Sequence, residues 1–400
     1  MLVDFFRYGL ASVVSFLVVD IGASLIYRRL HSVVAVVERY QYNNHNDYEE
    51  NVGKNSSIHC KSDVPPHGEV VKENTPFMNQ VQIFLAFETF CGRKILCNLS
   101  FFRQYLINES IAKGTKYDSP NSKREILNFI SDFSIDTNTI CKPVDEFSSL
   151  NDFFYRKLPK GLRPIAFKDD LRVATVPCDC RISVYSNVEQ ARRCLIKGEN
   201  FTLERFVHLS SNQAGLKSKF TWESAIAVCR LAPNDYHRFH SPLACAVDIQ
   251  GQYEVFGEDL FTVKSRVLRG GLDVFTRNRR ICVPLQSTNG GQRSDSLFGT
   301  VLFIPIGATH VGSIHFDSRI NVKNTKDYSN EKPSRSNLEK EYINFEKGEE
   351  LGYFAYGGSS VVLVFAKGTI NFDSDLLRNS LQGKETLVRL GDSLGTAIRR

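Results

Sequence analysis

Along most of the chain the apolar positions come in short bursts. Ala225 to Leu231, Val301 to Ile306 and Val361 to Phe365 are runs rich in Val, Ile, Leu and Phe, bounded by Gly, Asn, Asp and Pro. That pattern predicts many short strands, and it sets in at about Leu171. Ahead of it, Val81 to Ile111 and Lys123 to Phe133 carry aromatic and aliphatic residues at helix-like intervals, which predicts helices before the strand-rich part. Nearer the start, Tyr8 to Tyr27 is dominated by Leu, Val, Ile, Ala, Ser and Phe. As a helix, about 20 such residues reach across roughly 30 Å of hydrocarbon. Asp20 opposes a clean span, because a carboxylate near the bilayer centre costs about 2.5 to 3.5 kcal/mol, so a shallow interfacial helix stands beside a spanning one. A signal peptide or a soluble core helix fits less well: Arg7 and Arg28-Arg29 flank the run and no small-residue cleavage site closes it.

From about Gln41 to Pro76 the composition turns to Asn, Glu, Lys, Ser, His and Pro without apolar periodicity, as in a flexible linker, and Asn321 to Asn337 reads as a polar surface loop. The expected organisation is a hydrophobic membrane-anchor segment over 1–40, a linker over 41–80 and a folded domain over 81–400. The 400 residues are 42% hydrophobic, enough for a sizeable core, and contain no internal repeat. A net charge of +6 from 50 basic and 44 acidic residues lacks the concentrated positive charge of a nucleic-acid binder, yet tolerates an anionic membrane surface. The ten cysteines include no Cys-x-x-Cys pair and read as reduced and structural. Cys178 and Cys180 stand apart because they bracket Asp179 and, two residues apart on a strand, face the same way. Asn55, Asn98, Asn108 and Asn200 open Asn-x-Ser/Thr triplets, which are frequent by chance and decide nothing.

Two segments carry candidate chemistry. Leu231 to Pro242 (Leu-Ala-Pro-Asn-Asp-Tyr-His-Arg-Phe-His-Ser-Pro) sets His237 and His240 three residues apart, and histidine is the side chain suited to proton transfer near neutral pH. Packed or metal-binding histidines are the bland alternative. The second segment is Gly357-Gly358-Ser359-Ser360, entering the run Val361 to Phe365. It reads as a tight turn into a buried strand or as a serine set on an unusual backbone. A serine-hydrolase elbow fits poorly, since Val361 stands where that motif wants glycine and the chain continues as β-branched residues.

Together these segments resemble the phosphatidylserine decarboxylases, which use a pyruvoyl group made from their own serine. The likeness runs in order from Leu150-Asn-Asp-Phe-Phe-Tyr-Arg-Lys-Leu158 and Leu162-Arg-Pro-Ile165 through Val176-Pro-Cys-Asp179, Ile196-Lys-Gly198 and the Asp-Tyr-His-Arg-x-His signature within Pro233 to Pro242. It continues through Leu260-Phe-Thr-Val263, Phe275-Thr-Arg-Asn278, Gly307-Ala308 with Val311-Gly-Ser-Ile314, and Lys347-Gly-Glu-Glu350, and ends at Gly358-Ser359-Ser360. Cys180 departs from the glycine usual in the family after the aspartate, and His310 stands where no histidine is expected.

The resemblance implies an α+β fold: a β-rich catalytic domain of short strands preceded by a helical, membrane-associating N-terminal part. It implies cleavage between Gly358 and Ser359, giving a beta chain ending at 358 and an alpha chain of 359–400, with Ser359 becoming the covalent pyruvoyl group that serves as electron sink. His240 matches the base for serine attack, Asp179 the carboxylate that orients and charge-compensates it, and His237 the acid of the second reaction, in which phosphatidylserine loses CO2 to become phosphatidylethanolamine. No metal is implied. The implied partners are phosphatidylserine, a lipid surface, the two chains of the protein itself and a possible further copy of it, with no nucleic acid. The endoplasmic reticulum membrane is the first expectation for the compartment and the mitochondrial inner membrane the second. A pyruvoyl decarboxylase of a soluble amino acid and an unprocessed lipid-binding or scaffold homologue are the rival readings.

Overall fold

A computed structural model describes residues 36–39, 70–71, 84–89, 91–92, 100–196, 201–209, 214–251, 253–293, 297–309, 313–323, 341–356 and 359–398. The run at 8–27, most of the expected linker, Lys197-Gly198, His310 and Gly357-Gly358 lie outside these residues. Among the described residues no helix is long and apolar enough to cross a membrane.

The apolar runs read as strands form the centre of a 14-stranded sheet among the described residues. Its middle, in hydrogen-bonded order, is Thr300–Gly307, Ser359–Phe365, Ala225–Leu231, Cys180–Tyr185 and Glu385–Val388, each antiparallel to the next. These strands read as continuous apolar runs because both faces of the sheet are covered. One layer takes Ile182, Ala227, Cys229, Phe303, Val361, Leu363 and Phe365. The opposite layer takes Tyr185, Ile226, Val228, Leu302, Ile304, Val362 and Val364. The first layer is closed by a three-stranded sheet of Ile314–Phe316, Glu350–Phe354 and Arg238–His240, which contributes Phe239, Leu351 and Phe354.

The expected helices precede the strand-rich part. Ser100–Asp118 and Ile126–Phe133 are α-helices joined by a 3-10 turn, Pro120–Glu125. A third, Leu150–Phe154, starts where Ser149 Oγ accepts the Asp152 N–H at 3.1 Å, an N-cap that satisfies one orphan donor of the first turn. Ile126, Phe129, Phe133, Phe147, Leu150, Phe153 and Phe154 make a separate apolar cluster, against which Tyr117 and Tyr356 pack.

Two short strands fall where anchor and linker were expected. Val36–Glu38 pairs parallel with Glu385–Val388, and Val70–Val71 pairs antiparallel with Val36–Glu38. Both are Val-rich, and β-branched residues favour an edge addition to a sheet over the flexibility read from the surrounding polar residues. Asp373 and Asp375 both bind the Arg39 guanidinium, at 2.6 Å and 3.0 Å, which ties this extension to the sheet.

Arg181 and Arg230 lie directly opposite each other on neighbouring strands, and both are buried. Like charges in that relation repel, so each needs its own carboxylate: Asp235 binds Arg181, and Glu385 grips Arg230 through two bonds of 2.6 Å and 3.2 Å. Removing one partner from such a pair costs far more than the pair is worth, because the remaining charge stays buried. Glu385→Gln is therefore expected to lower unfolding stability by about 3 to 5 kcal/mol in urea denaturation. A change under about 1 kcal/mol would show that Glu385 is not what compensates the facing arginines.

Candidate active site

Ser359 is the first residue of the strand Ser359–Phe365, paired with Leu231 on one side and Gly307 on the other. Successive side chains of a strand alternate between faces. Ser359 therefore shares the face of Val361, Leu363 and Phe365, which is the face roofed by the sheet containing Arg238–His240, while Ser360 points to the opposite layer. Both serines are fully buried, and neither Oγ has a hydrogen-bond partner among the described residues. A buried hydroxyl left unsatisfied costs about 1 to 3 kcal/mol, which a fold tolerates where the group has work to do.

Tyr356, three residues before Ser359, is held by aromatic packing. Tyr356 lies 4.3 Å from Tyr117, 5.1 Å from Phe154 and 6.0 Å from Phe129 between ring centroids, and its N–H donates to Asn151 Oδ1 at 2.9 Å. Phe154 also stacks on His237, with centroids 3.8 Å apart and planes 21° apart. One phenylalanine thus touches both the segment entering the serine and the first histidine of the signature. The His237 carbonyl accepts the Phe354 N–H at 2.9 Å, which adds a backbone tie between the same two segments.

The His237 imidazole is fully buried, and neither ring nitrogen makes a well-formed hydrogen bond among the described residues. Burial, with the nearby Arg156 charge, pushes its pKa down to about 3, against weaker opposition from the Pro233 and Ala232 carbonyls. It is a neutral imidazole at neutral pH. Arg156 itself is buried, and its Nε and Nη1 have no hydrogen-bond partner among the described residues, while Nη2 reaches the Asn234 carbonyl at 3.3 Å.

His240 is held differently. Its Nδ1 lies 2.9 Å from the Gly348 carbonyl, and since a carbonyl only accepts, Nδ1 carries the hydrogen. Nε2 is then the acceptor, and Tyr236 Oη donates to it at 3.1 Å. Burial lowers the His240 pKa, with the Gly348 carbonyl opposing it. Gly348 sits in a turn that only glycine fits: its φ is +82°, and a Cβ there would fall 2.6 Å from Ile165 Cδ1. The neighbouring Lys347 anchors that turn, donating to the carbonyls of Phe167, Asp170 at 2.9 Å and Val173 at 3.2 Å. Burial pushes the Lys347 pKa down to about 8.

Asp179 is buried at the entry to Cys180–Tyr185, but the expected contact from its carboxylate to His240 is absent among the described residues. Arg163 holds it with three contacts, 2.6 Å from Nη2 and 3.0 and 3.2 Å from Nε, and it also accepts the Leu390 N–H at 2.9 Å and Arg389 Nη1 at 3.4 Å. Arginine's planar fork matches a carboxylate in a way an imidazole cannot, so the carboxylate faces the guanidinium. The tautomer of His240 is set by the Gly348 carbonyl instead. Asp179 remains close enough for its charge to favour the imidazolium, and the His240 N–H donates to the Pro177 carbonyl at 2.8 Å. The structure thus brings Asp179 and His240 into one neighbourhood, joins Phe154, His237 and Tyr356 by packing, and makes no hydrogen bond from either histidine to Ser359 Oγ. Tyr236, Gly348, Arg156 and Arg163 had no assigned role in the sequence. Each lies inside a motif already singled out, and that was their only signal.

A profile of the family described as Phosphatidylserine decarboxylase matches residues 150–396. The chain is similar to a Phosphatidylserine decarboxylase proenzyme 2 of Komagataella phaffii, 37% identical over 288 residues, covering 72% of this chain and 25% of that protein. It is 36% identical over 335 residues to a Phosphatidylserine decarboxylase proenzyme 3 of Schizosaccharomyces pombe, covering 83% and 30%. A Phosphatidylserine decarboxylase proenzyme of Fusobacterium nucleatum is 32% identical over 286 residues, 70% of this chain and 81% of that one. The chain spans between 22% and 42% of the length of the yeast and plant relatives it matches.

The burial of His237 has a consequence for stability. An unfolded histidine protonates near 6.5, whereas the folded one resists protonation down to about 3. Between those values the unfolded chain binds more protons, so stability falls as pH drops through the window, by up to about 1.4 kcal/mol per pH unit. His237→Leu is expected to unfold with a shallower loss of urea midpoint between about pH 6 and about pH 4 than the parent chain. Parallel slopes in the two proteins would mean that His237 does not titrate on unfolding in this range.

Proposed function

The chain belongs to the phosphatidylserine decarboxylase family, and on that premise we propose that it cuts itself between Gly358 and Ser359 and then decarboxylates phosphatidylserine to phosphatidylethanolamine. The observation that carries the reading is the Ser359 hydroxyl: buried, unpartnered, at the mouth of a central strand and on the face roofed by the histidine-bearing sheet.

Serinolysis requires Ser359 Oγ to attack the Gly358 carbonyl, and a hydroxyl does so once a base removes its proton. His240 is the base in this reading, with its Nδ1 hydrogen committed to Gly348 and its Nε2 lone pair available once Tyr236 Oη yields. Asp179 supports the imidazolium that forms through its charge, held in place by Arg163. Attack converts the peptide bond to an ester. Loss of the Ser359 α-proton and cleavage of the Cβ–O bond then release Gly358 as a carboxylate and leave dehydroalanine, to which water adds and from which ammonia departs. Residue 359 ends as a pyruvoyl group at a new N-terminus. The residues present fit that group: Ser359 is the hydroxyl it is made from, and His237 and Phe154 flank the segment that enters it.

The pyruvoyl group supplies an electron sink for loss of CO2 from the serine headgroup. In this reading His237, neutral and stacked on Phe154, is the proton-transfer group for that second reaction, and we assign the lipid's anionic headgroup to Arg156, two of whose guanidinium nitrogens lack a hydrogen-bond partner among the described residues. A lipid substrate also puts the working enzyme at a membrane surface, with the endoplasmic reticulum membrane proposed ahead of the mitochondrial inner membrane. The cut need not separate the products, because the strand Ser359–Phe365 stays laddered between Thr300–Gly307 and Ala225–Leu231.

Denaturing intact mass is expected to resolve the protein into a chain of residues 1–358 and one of 400 − 358 = 42 residues, the latter lacking a free α-amine. Ser359→Ala should remain a single chain. Separation of the Ser359→Ala protein into the same two fragments would move the nucleophile elsewhere, with Ser360 the first suspect.

The two histidines are expected to fail at different stages. His240→Ala should stay uncut, whereas His237→Ala should be cut yet release little phosphatidylethanolamine. A base works only when neutral, and burial lowers the His240 pKa, so the processing rate should hold its plateau as pH falls through 6.5 and decline only below it. A half-maximal rate at or above 6.5 would contradict the assignment of His240, as would normal turnover in the His237 variant.

A further inference from the structure

Cys178 and Cys180 bracket Asp179, and the structure adds a third thiol to them. Cys229, on the neighbouring strand Ala225–Leu231, brings its sulfur into the same spot, and the three Sγ atoms lie within 4.8 Å of one another. All three cysteines are fully buried and free. The register explains part of the meeting: Ile182 lies opposite Cys229, so Cys180 and Cys229 are diagonal neighbours on one face, and the bend before the strand brings Cys178 beside them. Cys245, in the same apolar layer, is engaged separately with Ser241 Oγ at 3.2 Å.

We propose that Cys178, Cys180 and Cys229 form a three-sulfur site for a soft monovalent cation, Cu(I). Three sulfurs around a central ion at about 2.3 Å stand about 4.0 Å apart, so the cluster needs only a small contraction to close on one. Sulfur donors select soft d10 ions, and coordination number separates the candidates. Structural zinc sites are almost always four-coordinate, whereas the cluster of donors among the described residues stops at three and Asp179 turns its carboxylate to Arg163. A cysteine binds a metal as its thiolate, so loading releases thiol protons, and copper remains Cu(I), so no electron is exchanged. The ion would tie the turn carrying Asp179 to the strand Ala225–Leu231, in which Cys229 pairs with Val361 and Leu231 with Ser359.

The test uses the full chain, purified without oxygen and loaded with Cu(I) in the presence of bathocuproine disulfonate as competitor. One copper per chain should be retained by elemental analysis and native mass spectrometry, and the thermal unfolding midpoint should rise. Cys178→Ala and Cys229→Ala should lose at least ten-fold of the retained copper, while Cys282→Ala, a buried cysteine of the opposite layer, should not. If the alanine variants fail to fold, X-ray absorption on the copper-loaded parent chain decides: a sulfur-only shell supports the site, and nitrogen or oxygen ligands overturn it. Failure of the parent chain to hold copper against the competitor, equal retention in Cys229→Ala, retention of Zn(II) in preference to Cu(I), or a mass two daltons low from a disulfide within the cluster would each overturn the proposal. Because the readout is metal content and stability, none of these results bears on whether Ser359 is processed.

Discussion

Everything at the candidate site depends on a central strand buried on both faces. The strand Ser359–Phe365 is covered on one side by the layer containing Phe239 and Phe354 and on the other by the layer containing Phe206 and Phe275. A one-residue slip would exchange the two faces, turning Ser359 away from the roof that bears the histidines and Ser360 toward it. Seven register pairs with Ala225–Leu231 and seven with Thr300–Gly307 hold the strand against that slip. Which of the adjacent serines faces that roof is thus decided by strand alternation across the two ladders.

That same burial gives the site its electrostatic character. Away from water, unpaired charge is costly, so Asp179, Arg181 and Arg230 each have a close counter-ion. His237, which has none, is driven neutral. His240 is neutral for a related reason but has defined partners, a carbonyl at one nitrogen and a phenol at the other. Two histidines three residues apart therefore reach different states, one stacked and unbonded, the other hydrogen-bonded and tautomerically fixed. That difference gives physical content to assigning them different reactions.

Much of this was legible in the sequence, unevenly. The strands Ala225–Leu231, Thr300–Gly307 and Ser359–Phe365 fall where the apolar runs predicted them, because a strand buried on both faces must be apolar at consecutive positions. The helix Ile126–Phe133 lies within its segment of helical periodicity, and Ser100–Asp118 starts within the other and runs past its expected end at Ile111. The edge strands Val36–Glu38 and Val70–Val71 were not visible, since two or three valines beside polar sequence carry no periodicity, and what holds them is distant chain at Glu385–Val388. The pairing of Asp179 with Arg163 was equally hidden. Sixteen residues separate them, and nothing in spacing says whether a carboxylate will meet a guanidinium or an imidazole.

The departure from expectation at Asp179 carries an argument of its own. A carboxylate bonded directly to an imidazole fixes its tautomer and its charge state together. Here the two tasks are divided: the Gly348 carbonyl fixes the tautomer by contact, and Asp179 acts on the charge from a distance. A carbonyl cannot be protonated near neutral pH, so the tautomer persists through any change in carboxylate charge. The weight then falls on the turn that presents Gly348, which is pinned by Lys347 on three carbonyls and by a glycine φ of +82°. A side chain at residue 348 would collide with Ile165 and shift the carbonyl, and with it the hydrogen that decides which nitrogen of His240 can act as a base. In this fold the tautomer of His240 is set by backbone geometry, and the neighbouring carboxylate favours its protonated form.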